Sequence, residues 1–140
     1  MRILLALDDS AKATELALEL TKKCNAKLTV LFVLDATWNT YVGHDWLSGS
    51  NSRADFLDWI KNEEVKAADS SLAAFEELAW DIPYTARLVA GDVQRQILEE
   101  AEKGYELLIM ATPFRRGLEV MRDTCVSIAR NSPCSVLLVK

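Results

Sequence analysis

Uniformly apolar runs alternate with segments of helical periodicity along this chain, and no other feature constrains its fold as strongly. The first run, residues 3–7, is apolar at every position, which is typical of a strand buried on both faces of a parallel sheet. It ends at Asp8 and Asp9, and Ser10 is placed to cap a helix. The apolar residues of that helix are predicted to share one face: Ala13, Leu16, Ala17, Leu20 and Cys24.

The rest of the chain continues this alternation. Strands are predicted at residues 27–34, 84–89, 106–111 and 135–139, and helices at residues 53–79, 93–101 and 118–131. The second and fourth strands are uniformly apolar and should be central, whereas the third alternates with polar residues and should lie near an edge. Five strands, four helices and right-handed crossovers predict one α/β domain, residues 1–140, with a five-stranded parallel sheet between two helical layers.

Two connections are candidates for function. Residues 36–52 show neither helical nor strand periodicity, and they include Trp38, Tyr41 and Trp46. These aromatic residues could cover a ligand, contact a partner protein or fold back as a small cluster. Residues 112–117 are predicted to form a loop beyond the fourth strand.

Composition excludes several classes of function. The formal net charge of −5 and the absence of long basic runs argue against binding to nucleic acid or to anionic membranes. No apolar segment approaches the length of a membrane span, and no signal peptide is recognisable. The three cysteines are spaced unlike any zinc motif, and His44 is the single histidine. We therefore expect a cytoplasmic protein with reduced, mostly buried cysteines and no metal site.

Catalytic patterns are also missing. The sequence contains no nucleophile turn tied to a histidine and an acid, and no phosphate loop ending in lysine. Asp8 and Asp9 could hold magnesium, but adjacent side chains diverge, which weakens that interpretation. No catalytic residue is expected.

Several segments, in order and at matching spacing, resemble the universal stress protein A family. They are residues 3–10 (Ile-Leu-Leu-Ala-Leu-Asp-Asp-Ser), residues 30–35, the Gly91-Asp92 turn before the third helix, residues 106–112, and the ending at residues 133–139 (Pro-Cys-Ser-Val-Leu-Leu-Val). The resemblance implies a Rossmann-like fold of the adenine nucleotide alpha hydrolase type, found in cytoplasmic proteins that help cells to survive stress. It also implies a homodimer formed through the last strand, at Val136, Leu137, Leu138 and Val139. Pairing across a two-fold axis would also cover that strand's open edge.

One branch of that family binds ATP or AMP through a glycine signature after the fourth strand. The signature is Gly, two residues, Gly, nine residues, then Gly followed by Ser or Thr. Here those positions are Ala111, Phe114, Thr124 and Cys125, so every glycine is missing. Glycines let backbone amides approach phosphates, whereas Phe114 would place a ring there. The sequence therefore resembles the branch without the signature, and no cofactor is expected. The alternative is an altered loop that binds ATP or AMP, with or without slow hydrolysis.

The candidate ligand-binding residues all follow strand ends, and each has a plain structural alternative. The resemblance would place Asp8 near an adenine and ribose, but Asp8 and Asp9 could equally cap the first helix. Arg115 and Arg116 could bind a small anion or could form a solvated turn. Val33 could be simply core, and Gly91 could mark a turn that needs positive φ. The full set is Ala6, Asp8, Val33, Asp35, Gly91, Ala111, Thr112, Arg115, Arg116 and Gly117. An unidentified protein partner is the other expected ligand.

Overall fold

The computed structural model describes residues 1–35, 50–116 and 119–140, without the side chains of residues 50–61, 116 and 119–122. Its strands are β1 (Arg2–Ala6), β2 (Lys27–Asp35), β3 (Tyr84–Gly91), β4 (Leu107–Ala111), β5 (Phe114–Arg116), β6 (Glu119–Met121) and β7 (Ser135–Val139). Its helices are α1 (Ala11–Lys23), α2 (Ser50–Leu78), α3 (Val93–Ala101) and α4 (Arg122–Asn131).

The main sheet has five parallel strands in the order β3-β2-β1-β4-β7. The predicted five-stranded α/β architecture is confirmed. β1 lies at the centre, β2 and β4 flank it, and the alternating strand β3 forms one edge. β7 forms the other edge.

Two hydrophobic cores cover the two faces of this sheet. One joins alternate residues of β1 and β2 to α1 and α2, through side chains such as Ala17 and Phe75. The other joins the intervening residues to α3 and α4, through side chains such as Ile97 and Ile128. Because both faces are covered, the central strands have to be apolar at nearly every position.

Capping contacts explain where two helices begin. The Ser10 hydroxyl accepts a hydrogen bond from the Ala13 amide at 3.3 Å, and the Asp92 carboxylate accepts one from the Arg95 amide at 3.0 Å. Both caps were predicted, because a short polar side chain after a strand can satisfy a free amide of the first helical turn.

The predicted loop at residues 112–117 and the predicted start of the last helix at residue 118 are wrong. β5 and β6 form an antiparallel hairpin in which Phe114 pairs with Met121 and Arg116 with Glu119, and α4 begins at Arg122. Leu118 and Met121 have helical spacing from Cys125, so local periodicity favoured a helix. Cross-strand pairing overrode that preference.

The predicted apolar face of the first helix is also partly wrong. The buried residues of α1 are Ala13, Thr14, Ala17, Leu18 and Thr21, and Cys24 is exposed. Two of these residues are threonines, and burial of Thr21 is possible because its hydroxyl donates to the Ala17 carbonyl at 2.7 Å. Of the other cysteines, Cys125 is buried and Cys134 is partly exposed.

A buried acid, Glu100, connects α3 to two neighbouring parts of the chain. The Glu100 carboxylate, 4% exposed, accepts a hydrogen bond from the Tyr105 hydroxyl at 2.9 Å. It also pairs with Lys103 at 2.8 Å and Arg87 at 3.1 Å. Burial raises the pKa of Glu100, but these three partners outweigh burial and lower it overall. This Glu100 network connects α3 to β3 and to the turn before β4.

Candidate functional site

The carboxyl ends of β1 and β4 lie side by side, at the point where successive strands change from one side of β1 to the other. From β1 the chain moves to β2 on one side, whereas β4 and β7 lie on the other side. In open parallel sheets such a switch point forms a crevice in which ligands bind. Asp8 follows β1 and Thr112 follows β4, so the structure brings these two candidate residues to that crevice.

Asp8 binds the β5–β6 hairpin to the end of β1. Its carboxylate, 4% exposed, accepts hydrogen bonds from the Ser10 amide at 2.9 Å and from the Arg115 amide at 2.8 Å. Burial, with a smaller contribution from the Asp9 charge, raises the pKa of Asp8, although both amide hydrogen bonds oppose the shift. The cap of α1 is Ser10, and Asp8 holds the amide of that capping residue.

Asp9 adds two further contacts at the same place. Its amide donates to the Arg115 carbonyl at 3.1 Å, and its carboxylate accepts from the Ser71 hydroxyl of α2 at 3.1 Å. Residue 115 is therefore held through both its amide and its carbonyl, so the hairpin is fixed over the crevice. Sequence reasoning missed these contacts because Asp9 is 62 positions from Ser71 and even further along the chain from Arg115.

Phe114 fills the space on the α3–α4 side of the crevice. Its ring is 2% exposed and belongs to the same buried cluster as Ala6, Val33 and Met110. Ala6 and Val33 are themselves 1% and 4% exposed. Side chains of the protein therefore cover both of these candidate ligand-binding positions.

Asp35 and Gly91 lie together at the ends of β2 and β3, where they are register partners. The Asp35 amide donates to the Glu64 carboxylate at 3.0 Å. Gly91 has a φ of +150°, and a Cβ atom there would lie 3.0 Å from Nε2 of Gln96. Glycine at this position thus permits both the turn and the close contact with the Gln96 side chain.

Ala111, Thr112 and Arg115 line the other side of the crevice. The Thr112 amide donates to the Val139 carbonyl at 2.9 Å, and the Ala111 carbonyl accepts from the Cys125 thiol at 3.2 Å. Burial raises the pKa of that thiol, which disfavours a reactive thiolate. Arg115 is exposed, whereas the Arg116 side chain, Gly117 and the aromatic residues 38–46 lie outside the described residues.

A cleft of about 410 Å³ opens on the α1 side of the hairpin. We call it the α1 cleft; its lining residues are Asp8, Asp9, Ser10, Lys12, Ala111, Thr112, Pro113, Arg115, Val139 and Lys140. Sequence reasoning missed Lys12 and Lys140. The available signal was their position, in the first turn of α1 and directly after β7, at the same end of the sheet as Asp8.

Metal-ligating clusters and membrane-spanning helices were both sought among the described residues. Within residues 1–35, 50–116 and 119–140, no three histidine, cysteine or acidic side chains are grouped closely enough to hold a metal ion. In the same part of the chain, no helix combines the length and apolar character needed to span a bilayer.

The parallel sheet, its two helical layers and the switch-point crevice define an α/β domain of the Rossmann-like class. Residues 1–140 match the family model described as the universal stress protein family. The chain belongs to the universal stress protein family, as its sequence resemblance predicted.

Solved structures of that family share the fold over nearly the whole chain. The universal stress protein UspA from Lactobacillus plantarum is 17% identical, with a TM-score of 0.74 over 100% of this chain and 97% of the relative. A family member from Burkholderia pseudomallei is 24% identical, with a TM-score of 0.62 over 99% and 94%. A universal stress protein described in complex with cAMP is 18% identical, with a TM-score of 0.65 over 100% and 97%. A search of curated protein sequences found no match.

Proposed function

We propose that this protein is a cytoplasmic, dimeric stress-response module that acts without a nucleotide at its strand ends. It works through contacts with a partner protein or through a small anionic ligand. The observation that carries this proposal is the burial of Phe114 together with Ala6 and Val33. A nucleotide that contacted these two strand positions would have to displace a ring that is 2% exposed.

The backbone around Phe114 supports the same conclusion. Tight binding of phosphates by a loop needs several amide groups that point at the ligand. Here the Arg115 amide donates to Asp8 and the Thr112 amide donates to the Val139 carbonyl. The Asp8 carboxylate, which could otherwise accept a ribose hydroxyl, already accepts two amides. A nucleotide would therefore compete with hydrogen bonds that hold the fold.

Dimerisation through β7 is the second part of the proposal. β7 pairs with β4 on one side only, and within residues 135–139 it contains neither proline nor charge. Val136, Leu137 and Val139 are partly exposed, and Leu138 is 36% exposed. A second copy paired along this edge would satisfy its open backbone groups and cover these side chains.

Nucleotide binding through an altered loop is the second candidate function. The universal stress protein described in complex with cAMP shares the fold over the whole of this chain. If Phe114 and the hairpin moved aside, Asp8 and Val33 would lie where an adenine nucleotide could contact them.

Thermal unfolding with ATP, AMP and magnesium tests the proposal. A ligand at 100 times its dissociation constant adds about 2.7 kcal/mol to the free energy of unfolding. For a chain of this size that corresponds to a rise in Tm of roughly 9 °C. We expect ATP and AMP to raise the Tm of the wild-type protein no more than the same concentration of inorganic phosphate does, and a rise several degrees larger than that would contradict the proposal.

The variant Phe114→Ala sharpens this test. Removing one ring leaves Ala111 and Thr124 in place of glycines, so we expect its Tm to rise no more with nucleotide than with inorganic phosphate. Phe75→Ala is the matched control, because Phe75 is equally buried but lies in the core formed with α1 and α2. A rise confined to Phe114→Ala would mean that the ring alone excludes nucleotide and that the missing glycines do not matter.

A further inference from the structure

Three cationic side chains from distant parts of the chain converge on the α1 cleft. Lys12 comes from the first turn of α1, Arg115 from the hairpin and Lys140 from the end of β7. No ion pair that the structure gives for the described residues involves any of the three. All three side chains are exposed, so they can reorient toward a bound ligand.

The two acidic residues of the cleft already accept hydrogen bonds from the protein itself. Both oxygens of Asp8 accept amide hydrogen bonds, from Ser10 and Arg115. Asp9 accepts from Ser71, which belongs to α2 and does not line the α1 cleft. Since these carboxylates are already used by the protein, cationic and hydroxyl groups are the main groups left to recognise a ligand.

The backbone of α1 adds to the preference for an anion. The first turn of any helix contains amides without intrahelical partners, and its partial positive charge favours negative groups. In α1 the Ser10 hydroxyl satisfies the Ala13 amide, so the amides of Ala11 and Lys12 are the ones that the helix itself leaves unbonded. Of these two residues, Lys12 lines the α1 cleft.

We propose that the α1 cleft binds the phosphate group of a small phosphorylated molecule, held by Lys12, Arg115 and Lys140. This inference rests on the proposed function, because it names the class of small anion and its site. The volume of about 410 Å³ lies within the range of about 300 to 1,000 Å³ that is usual for small-molecule sites, so an attached organic group has room. The ribose or other carrier of the phosphate lies along Thr112 and Pro113.

The site is separate from the space that Phe114 fills. Ala111 and Val139, which line the cleft, belong to the core formed with α1 and α2. Phe114 belongs to the core formed with α3 and α4 on the other face of the sheet. A phosphate can therefore bind in the α1 cleft while the ring stays in place.

Isothermal titration with ribose 5-phosphate, inorganic phosphate, ribose and AMP tests this inference on the full chain. We expect ribose 5-phosphate and inorganic phosphate to bind at millimolar concentration or better, and ribose not to bind. Charge-assisted hydrogen bonds contribute enough that each of Lys12→Gln, Arg115→Gln and Lys140→Gln should weaken binding about tenfold. Lys27→Gln is the matched control, since Lys27 is an exposed lysine at the other end of the sheet, and it should change the affinity less than twofold.

The outcomes separate this inference from the proposed function. Absence of binding by both phosphate compounds, or equal weakening by Lys27→Gln, would overturn the α1 cleft as a phosphate site and leave the proposed function intact. AMP binding at least tenfold tighter than ribose 5-phosphate would show recognition of adenine and would overturn the proposed function. Similar affinities for AMP and ribose 5-phosphate, both weakened by the cleft variants, are the result that we expect.

Discussion

Replacing Phe114 by alanine should cost the protein much of its stability, because the ring is part of the core although it lies in a short hairpin. The side chain is 2% exposed and packs in the cluster with Val33, Met110 and Ile128. The variant removes the whole ring. The surrounding core can collapse only partly, since the hairpin backbone remains bound to Asp8 and Asp9.

The expected loss is about 3 to 5 kcal/mol in the free energy of unfolding, the usual range for a buried phenylalanine changed to alanine. The entropy of unfolding is about 2.1 cal/mol/K per residue, so each kcal/mol shifts the Tm of this chain by roughly 3 to 4 °C. Phe114→Ala should therefore unfold about 10 to 17 °C below the wild type. If that variant is too unstable to purify, Phe114→Leu keeps most of the volume and should lose less.

Urea titration followed by circular dichroism measures this free energy directly. Trp80→Ala is the control, because Trp80 is 83% exposed and its removal should change stability by no more than about 0.5 kcal/mol. A loss below about 1 kcal/mol for Phe114→Ala would refute the reasoning. It would mean that Phe114 is not part of the core, and the argument that it excludes a nucleotide would fail.

Two further variants test the dimer edge and the Glu100 network. Leu138→Lys should convert a dimer to a monomer in analytical ultracentrifugation. Leu88→Lys should not, because Leu88, which is 54% exposed, lies at the opposite edge of the sheet. A dimer in both variants would refute pairing through β7. Glu100→Gln should lower the free energy of unfolding at neutral pH by about 1 to 2 kcal/mol, a figure reduced because its cationic partners are partly exposed. Because the folded state lowers the pKa of Glu100, its contribution is present above the ordinary pKa of 4.5 and is lost as pH falls through the folded-state value. The difference between Glu100→Gln and the wild type should therefore disappear in acid, and a difference that persists there would contradict the assignment.

Local sequence patterns were sufficient to predict much of the architecture. A strand covered on both faces has to be apolar throughout, so β1, β2 and β4 could be recognised and placed in the middle of the sheet. The alternation of β3 indicated an edge for the same reason. Caps such as Ser10 and Asp92 also act within three residues, so their effect is visible in sequence order.

The position of the crevice could be predicted from the sequence, but the hydrogen bonds and the hairpin that occupy it could not. Asp8 was recognised as a strand-end acid, yet the sequence did not indicate that one of its oxygens would accept the amide of Arg115, 107 residues away. The β5–β6 hairpin was hidden because its residues also have helical spacing. Its formation depends on pairing between strands and on contacts with β1.

The sequence by itself determined the order of the elements, the central and edge strands and the end of the sheet at which the crevice opens, because each depends on the period or chemistry of neighbouring residues. Tertiary structure alone decided that Phe114 enters the core beside Val33 and that Lys12, Arg115 and Lys140 meet around one cleft. These placements are set by how strands from different parts of the chain align in one sheet. No local pattern records that alignment.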